Sequence, residues 1–163
     1  MESRKRNIII SKAGGNAGST SKNYKVSLPA DWVASLGVTE EDREVKLVFN
    51  GKEIKIKMSR DIIFGKLLGI ANVLSYRLYE GERLHISERY MTEYSRKPAK
   101  FLKLIHGEIM EYVNKFGEVE TNLINEFTEL IAELSEEDFT NEPLNERYLH
   151  AYYTQQKELH DLY

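Results

Sequence analysis

Apolar residues follow a period of two in the first third of the chain and a period near 3.6 beyond it, which predicts strands followed by helices. Asn7-Ile-Ile-Ile-Ser-Lys-Ala13 is rich in β-branched residues and stops at a Gly-, Asn- and Ser-rich stretch from Gly14 to Asn23. It reads as a strand followed by a flexible loop. Tyr24-Lys-Val-Ser-Leu28 alternates, with Tyr24, Val26 and Leu28 on one side and Lys25 and Ser27 on the other, and predicts a second strand. Pro29 stands where a helix can begin. Trp32, Val33 and Leu36 follow at helical spacing, and Gly37 can cap the end in the left-handed conformation. Glu44 to Phe49 and Lys52 to Met58 alternate again around Asn50-Gly51, the signature of a two-residue type I′ hairpin. Such a unit of about 55 residues buries too little apolar surface to stand alone, and its short, open-edged strands predict dimerisation, with Trp32 and Leu36 in the shared core.

From Asp61 the period becomes helical. Ile63, Leu67, Ile70, Leu74 and Leu78 form one stripe that ends near Gly81, and a second helix is expected around Ile86 to Tyr94. Pro98 opens a third, with Phe101, Leu102, Ile105, Ile109, Met110 and Val113 on one face and Gly117 closing it. Asn122 to Leu134 makes a fourth, and Pro143 starts a fifth that carries Leu144, Tyr148, Leu149, Tyr152 and Leu159. Short polar breaks between helices suit an antiparallel bundle. The expected class is therefore α+β, a β-rich module over 1–59 followed by an all-α bundle of four to five helices over 60–163.

Charge is distributed unevenly. Residues 1–30 carry Arg4, Lys5, Arg6, Lys12, Lys22 and Lys25 against Glu2 alone, whereas residues 61–163 carry 11 basic and 19 acidic residues, a balance of −8. The first part suits phosphate; the second suits a basic protein surface or plain solvation of helix faces. No cysteine is present, so disulfides and Cys-based zinc sites are excluded. No apolar run is long enough for a transmembrane helix, and the three isoleucines after Arg6 are too few for a signal-peptide core. A cytoplasmic protein with no membrane partner is expected.

Catalytic chemistry finds little support. The loop Gly14-Gly-Asn-Ala-Gly-Ser-Thr-Ser-Lys22 lacks the Gly-Lys-Ser/Thr ending of a phosphate loop and does not lead directly into a helix. Its small side chains and neighbouring lysines suit instead a contact with DNA backbone. His85, His106, His150 and His160 show no metal-binding pairing, and Ser135-Glu-Glu-Asp138 reads as a helix cap. No metal, no cofactor and no enzymatic activity are expected.

Two family resemblances sharpen these expectations. The run from Lys25 through Leu28-Pro-Ala-Asp-Trp32 and Leu36-Gly37 to Val45, followed by the hairpin Phe49-Asn-Gly-Lys-Glu-Ile-Lys-Ile56, resembles the AbrB/MazE/SpoVT DNA-binding domain. That resemblance implies two chains interleaving their hairpins into one swapped barrel-like homodimer that binds double-stranded DNA. It assigns the DNA contact to Lys12, Ser19, Lys22, Asn23 and Lys25, with Arg4, Lys5 and Arg6 as an arm. Where that family has Gly-Asp after the helix, this chain has Glu41-Asp42-Arg43, a change confined to a turn.

Three pieces of the helical part, Lys66-Leu-Leu-Gly-Ile-Ala71, Glu88-Arg-Tyr-Met-Thr-Glu-Tyr-Ser-Arg-Lys-Pro98 and Asp138 to Leu159, resemble in the same order the C-terminal helical region of the type I-C CRISPR effector large subunit. That region is itself similar to the helical small subunit lining the complex beside the nucleic acid. The resemblance implies type I-C effector subunits as partners. Arg89 and Arg96 are the expected contacts to a nucleic-acid backbone or an acidic neighbour, and Tyr148, Tyr152 and Gln156, at i, i+4 and i+8, share a helix face for docking. The plain alternative makes these tyrosines core and rim of a generic bundle. The expected function is a non-catalytic DNA-binding autoregulator whose helical part mimics an effector subunit and inhibits or modulates the complex. An AbrB-type regulator, or an antitoxin with acidic helices that mask a toxin, is the alternative.

Overall fold

The computed structural model describes residues 2–14, 20–40, 43–78, 86–116 and 121–162. Contacts divide the chain into two compact units, Met1–Arg43 and Glu44–Tyr163. Gly81 and Gly117, expected to end helices, lie outside the described residues.

In the first unit, β1 (Ile8–Lys12) pairs antiparallel with β2 (Lys22–Val26), placing Ile8 opposite Val26, Ile10 opposite Tyr24 and Lys12 opposite Lys22. α1 (Ala30–Ser35) follows. Pro29 stands at its N-cap with φ −59°, the value its ring imposes, and Gly37 takes φ 73° where the helix ends. Pro29 is the single buried side chain among the described residues of this unit. Trp32 and Leu36, expected in a core, are partly exposed in the single chain. The indole donates its N–H to Glu2 (3.2 Å) and lies under the Arg4 guanidinium, 5.4 Å from the ring centre.

The second unit opens with β3 (Lys46–Phe49) and β4 (Ile54–Lys57), again antiparallel. Their connection is not the two-residue turn that Asn50-Gly51 predicts. Phe49 pairs with Ile54, leaving residues 50–53 as the loop. The Asn50 side-chain carbonyl accepts the backbone N–H groups of Lys52 and Glu53 (3.0 Å each), and Gly51 adopts φ 88°. A side chain capturing two amides widens the turn. Among the described residues the strands form two separate two-stranded sheets, with no closed barrel. A barrel needs the hairpins bonded edge to edge, and each ladder here ends at its own pair.

Among the described residues five helices follow: α2 (Arg60–Leu78), α3 (Ile86–Arg96), α4 (Pro98–Phe116), α5 (Thr121–Glu133) and, after a 3₁₀ turn at Glu136–Asp138, α6 (Arg147–Leu162). α2 was expected to present one stripe. Instead Ile62, Ile63, Phe64, Leu67, Leu68, Ile70, Ala71 and Leu74 are all buried, because α3, α4, α5 and α6 surround the helix. A helix apolar around most of its circumference belongs in the middle of a core. α4 buries Leu102, Ile105, Ile109 and Tyr112, while Met110, expected on that face, is 45% exposed.

α2 and α6 approach closely at two glycines. A Cβ on Gly65 would collide with the backbone oxygen of Tyr148 and with Ala151, and one on Gly69 would sit 2.9 Å from Gln155 Cβ. α6 itself begins four residues later than Pro143 suggests. Leu144 precedes the helix, its N–H donating to Ser95 O (2.7 Å), and the Asn145 side chain accepts the Arg147 N–H (2.9 Å) to start the helix. Arg60 holds the preceding segment by donating to the carbonyls of Asp138 (2.9 Å), Thr140 (2.9 Å) and Glu142 (3.1 Å).

The β3–β4 hairpin is tied to the helices through its paired lysines, Lys46 and Lys57. Lys46 Nζ meets Asp138 Oδ2 (2.8 Å) and Ser135 Oγ (3.1 Å); Lys57 Nζ donates to Glu133 O (2.9 Å), at the C-terminal, negative end of α5. Burial pushes the Asp138 carboxyl up, but hydrogen bonds from Lys46 and from the Ser135 side chain and N–H outweigh it, and the carboxyl ends below the usual aspartate range.

Two outcomes follow from this packing. Gly65→Ala should destabilise the protein by about 3 kcal/mol in urea melts, since a backbone carbonyl cannot move aside, and Gly69→Ala by about 2 kcal/mol, since the Gln155 Cβ it meets is fixed to the α6 backbone. The stability gained through the depressed Asp138 carboxyl is complete above the ordinary aspartate value of about 4 and is lost as pH falls through that value toward the folded-state one. Asp138→Asn should therefore flatten the acid limb of the stability profile, measured by chemical denaturation at stepped pH.

Candidate functional site

Two surfaces carry the residues expected to act. On the first unit, Lys12 and Lys22 face each other across β1–β2, continuing the side that bears Ile10 and Tyr24. Asn23 opposite Ser11 and Lys25 opposite Ile9 occupy the other side of the ribbon. The hairpin thus divides the expected DNA set into two faces, all of it exposed; Ser19 lies outside the described residues. Two ammonium groups directly opposed destabilise a bare hairpin and favour an anion between them. Arg4 makes an exposed ion pair with Asp31 (3.0 Å), and Arg6 donates to the Lys5 carbonyl (3.2 Å). Exposed pairs of this kind are weak enough for a phosphate to replace.

On the second unit, Arg89 is held inside the packing. Its guanidinium meets Glu108 Oε1 (3.1 Å), while Ser75 Oγ donates to Glu108 Oε2 (3.1 Å), so α2, α3 and α4 share one carboxylate. Arg96 ends α3 and is exposed. The face shared by Tyr148, Tyr152 and Gln156 turns toward α2. Tyr148 is buried beside Tyr94, ring centres 6.5 Å apart. The Tyr94 hydroxyl donates to Phe64 O (2.7 Å), and burial raises its pKa well above the ordinary value, so it stays a donor.

Tyr152 and Gln156 belong to a buried polar chain. Tyr152 donates to Ser87 Oγ (2.9 Å), Ser87 Oγ and N–H both donate to Asn72 Oδ1 (3.0 and 3.1 Å), and Gln156 Nε2 donates to Gly69 O (2.7 Å). These groups, with Glu88, Met91 and Tyr153, line a recess of about 340 Å³. It offers amide, hydroxyl and carboxylate groups for orientation. Among the described residues no set of His, Asp and Glu could hold a metal ion, and no helix is long and apolar enough to cross a membrane. Sequence reasoning missed Asn72, Ser87 and Glu108. The signal for the first lay in a polar amide set inside the apolar run Ile62 to Leu74, since buried polar groups in such a helix need partners.

With this geometry in place, comparison with known proteins decides the family. The family described as CRISPR-associated protein (Cas_Csd1) matches residues 41–160. The chain belongs to that family. The Cas_Csd1 match takes in every helix of the second unit and also the β3–β4 hairpin, which the AbrB-type resemblance draws into the N-terminal module. It begins within three residues of Glu44, where the second unit begins. Structure and family thus agree that this hairpin travels with the Cas_Csd1 helices, to which Lys46 and Lys57 bind it. No curated protein and no solved structure matches the chain.

Tyr152→Phe removes one donor from the polar chain and leaves the Ser87 hydroxyl still bonded to Asn72. The loss should be about 1 kcal/mol in thermal or urea unfolding. Asn72→Leu, which strands the Ser87 N–H and hydroxyl together, should cost more than twice as much.

Proposed function

We propose that this chain is a non-catalytic DNA-binding regulator whose helical unit takes the place of the C-terminal helical region of a type I-C CRISPR effector large subunit and so inhibits or modulates that complex. The observation that carries the reading is the Cas_Csd1 match, which spans the whole helical unit and its hairpin but leaves a separate cationic unit ahead of it. A part of an effector subunit joined to its own DNA-binding module is suited to occupying a position in the assembly and to restraining its own expression.

Dimerisation through the β-rich segments is part of the proposal. Ile8, Ile10 and Tyr24 on one hairpin are 64%, 59% and 66% exposed, and Leu47, Phe49 and Ile54 on the other are 65%, 68% and 70% exposed. Two-stranded hairpins with open apolar faces are marginal alone and gain stability when a second copy covers them. In the dimer Lys12, Lys22 and Lys25 supply six cations to double-stranded DNA, with Arg4, Lys5 and Arg6 as an arm. The setting is cytoplasmic, where both DNA and effector complex are at hand.

Two measurements test this. With the six lysines engaged, log K against log salt for operator DNA should have a slope of about −5, which Lys12→Ala/Lys22→Ala reduces toward about −2. Tagged type I-C effector complex should retain the full chain on purification and lose small subunit in proportion. Unchanged complex composition and undiminished DNA targeting at high expression would leave a DNA-binding regulator or antitoxin without a CRISPR role.

A further inference from the structure

Asn50-Gly51 is the single Asn-Gly step in the chain; every other asparagine is followed by a residue that carries a side chain. The pair stands at the exposed tip of the β3–β4 hairpin, in the loop 50–53. Three features of this loop bear on amide chemistry. Gly51 has φ 88°, and the space where a side chain would stand is empty, with no atom within 4 Å. Its N–H has no acceptor among the described residues, whereas an N–H inside a helix or a ladder is spent on one. The Asn50 carboxamide is held at both ends: Oδ1 accepts the N–H groups of Lys52 and Glu53 (3.0 Å each), and Nδ2 donates to Glu53 Oε1 (3.1 Å).

We infer that Asn50 deamidates in the folded chain and that its conversion loosens the β3–β4 hairpin. Hydroxide removes the Gly51 amide proton, and the nitrogen attacks Asn50 Cγ, forming the N–Cγ bond of a five-membered imide. Without a Cβ on Gly51, nothing obstructs the approach. The oxyanion that develops on Oδ1 is met by the two amides already pointing at it. The Cγ–Nδ2 bond then breaks, and the departing nitrogen takes a proton from water, leaving as ammonia and regenerating hydroxide. Water adds next to either imide carbonyl and opens the ring. The product is an aspartyl residue or, with the main chain rerouted through the side-chain carbon, an isoaspartyl one. In sum an amide and water become a carboxylic acid and ammonia, with no oxidant, metal or enzyme required.

The product cannot keep the loop as it is. Nδ2, which donates to Glu53, is replaced by a carboxylate oxygen, so two negative groups meet where a hydrogen bond stood. The isoaspartyl form also adds a methylene to the main chain ahead of Gly51, next to the Asn50 N–H that donates to the Glu53 carbonyl (3.4 Å). Phe49 and Ile54, the last rung of the ladder, flank this loop directly. The inference is independent of the function proposed above.

The test incubates the full chain, folded and in urea, at two pH values one unit apart, and follows position 50 by peptide mass spectrometry. An isoaspartyl-specific carboxyl methyltransferase with a labelled methyl donor scores the rerouted product. Conversion should rise about tenfold per pH unit, as the fraction of amide anion does. It should be no slower folded than in urea, where the Lys52 and Glu53 amides leave Oδ1. Gly51→Ala should slow it at least about fivefold in both conditions, because the added Cβ obstructs attack. Slowing in urea separates this effect from strain at φ 88°. Asn50→Gln, whose extra methylene demands a larger ring, should remove the signal at position 50. Converted protein, separated by anion exchange on its added charge, should exchange the amide hydrogens of β3 and β4 at least about fivefold faster than fresh protein. Reaction slower in the folded chain than in urea, or unaffected by Gly51→Ala, overturns the inference. So does hydrogen exchange that is unchanged in the converted protein.

Discussion

The close approach of α2 and α6 is the constraint on which the Cas_Csd1 unit depends. Gly65 and Gly69 bring the two backbones together where any side chain would hold them apart. The same approach places Tyr148 against the Phe64–Tyr94 cluster and Gln156 within reach of the Gly69 carbonyl. The polar chain from Asn72 through Ser87 to Tyr152 can close only because these helices are near enough for side-chain hydrogen bonds to bridge them. Packing fixes the separation, and the buried polar groups then fix the register.

The two units are held by different forces. The helices around α2 form a dense apolar core. The β3–β4 hairpin is fastened to them by charge: Lys46 on Asp138, Lys57 on the end of α5, with Glu44 just before it paired to Arg147 (3.2 Å). Its lysine side meets the helices and its Leu47, Phe49 and Ile54 side is open. The Met1–Arg43 unit has no such core: Pro29 alone is buried among its described residues, and its Arg4–Asp31 ion pair is exposed.

Much of this was legible in the sequence, and the failures share a cause. Pro29, Gly37 and the helical periods specified elements correctly because their effects are local to the backbone. Asn50-Gly51 misled because the Asn50 side chain takes two amides and lengthens the loop, a competition that dipeptide preference does not register. α2 was read as amphipathic by counting one stripe; the residues between the counted ones, Phe64, Leu68 and Ala71, are equally apolar and equally buried. Tyr148, Tyr152 and Gln156 share a helix face as their spacing requires. Spacing does not say which way that face points, and here it meets α2. The partner of Arg89 is Glu108, nineteen residues away on another helix, and long-range pairing of charges is invisible to any local pattern.

The burial of α2 by four neighbouring helices also has a consequence for how the protein is made. α2 leaves the ribosome before each of the helices that cover it, and α6, the one that meets its two glycines, comes last. Until Arg147–Leu162 has emerged, a nineteen-residue helix has at least one apolar side bare. Folding of this unit is consequently completed after translation of its final helix rather than during it, and the nascent chain is sticky throughout that interval. Slowing elongation before α6 has emerged prolongs that exposure.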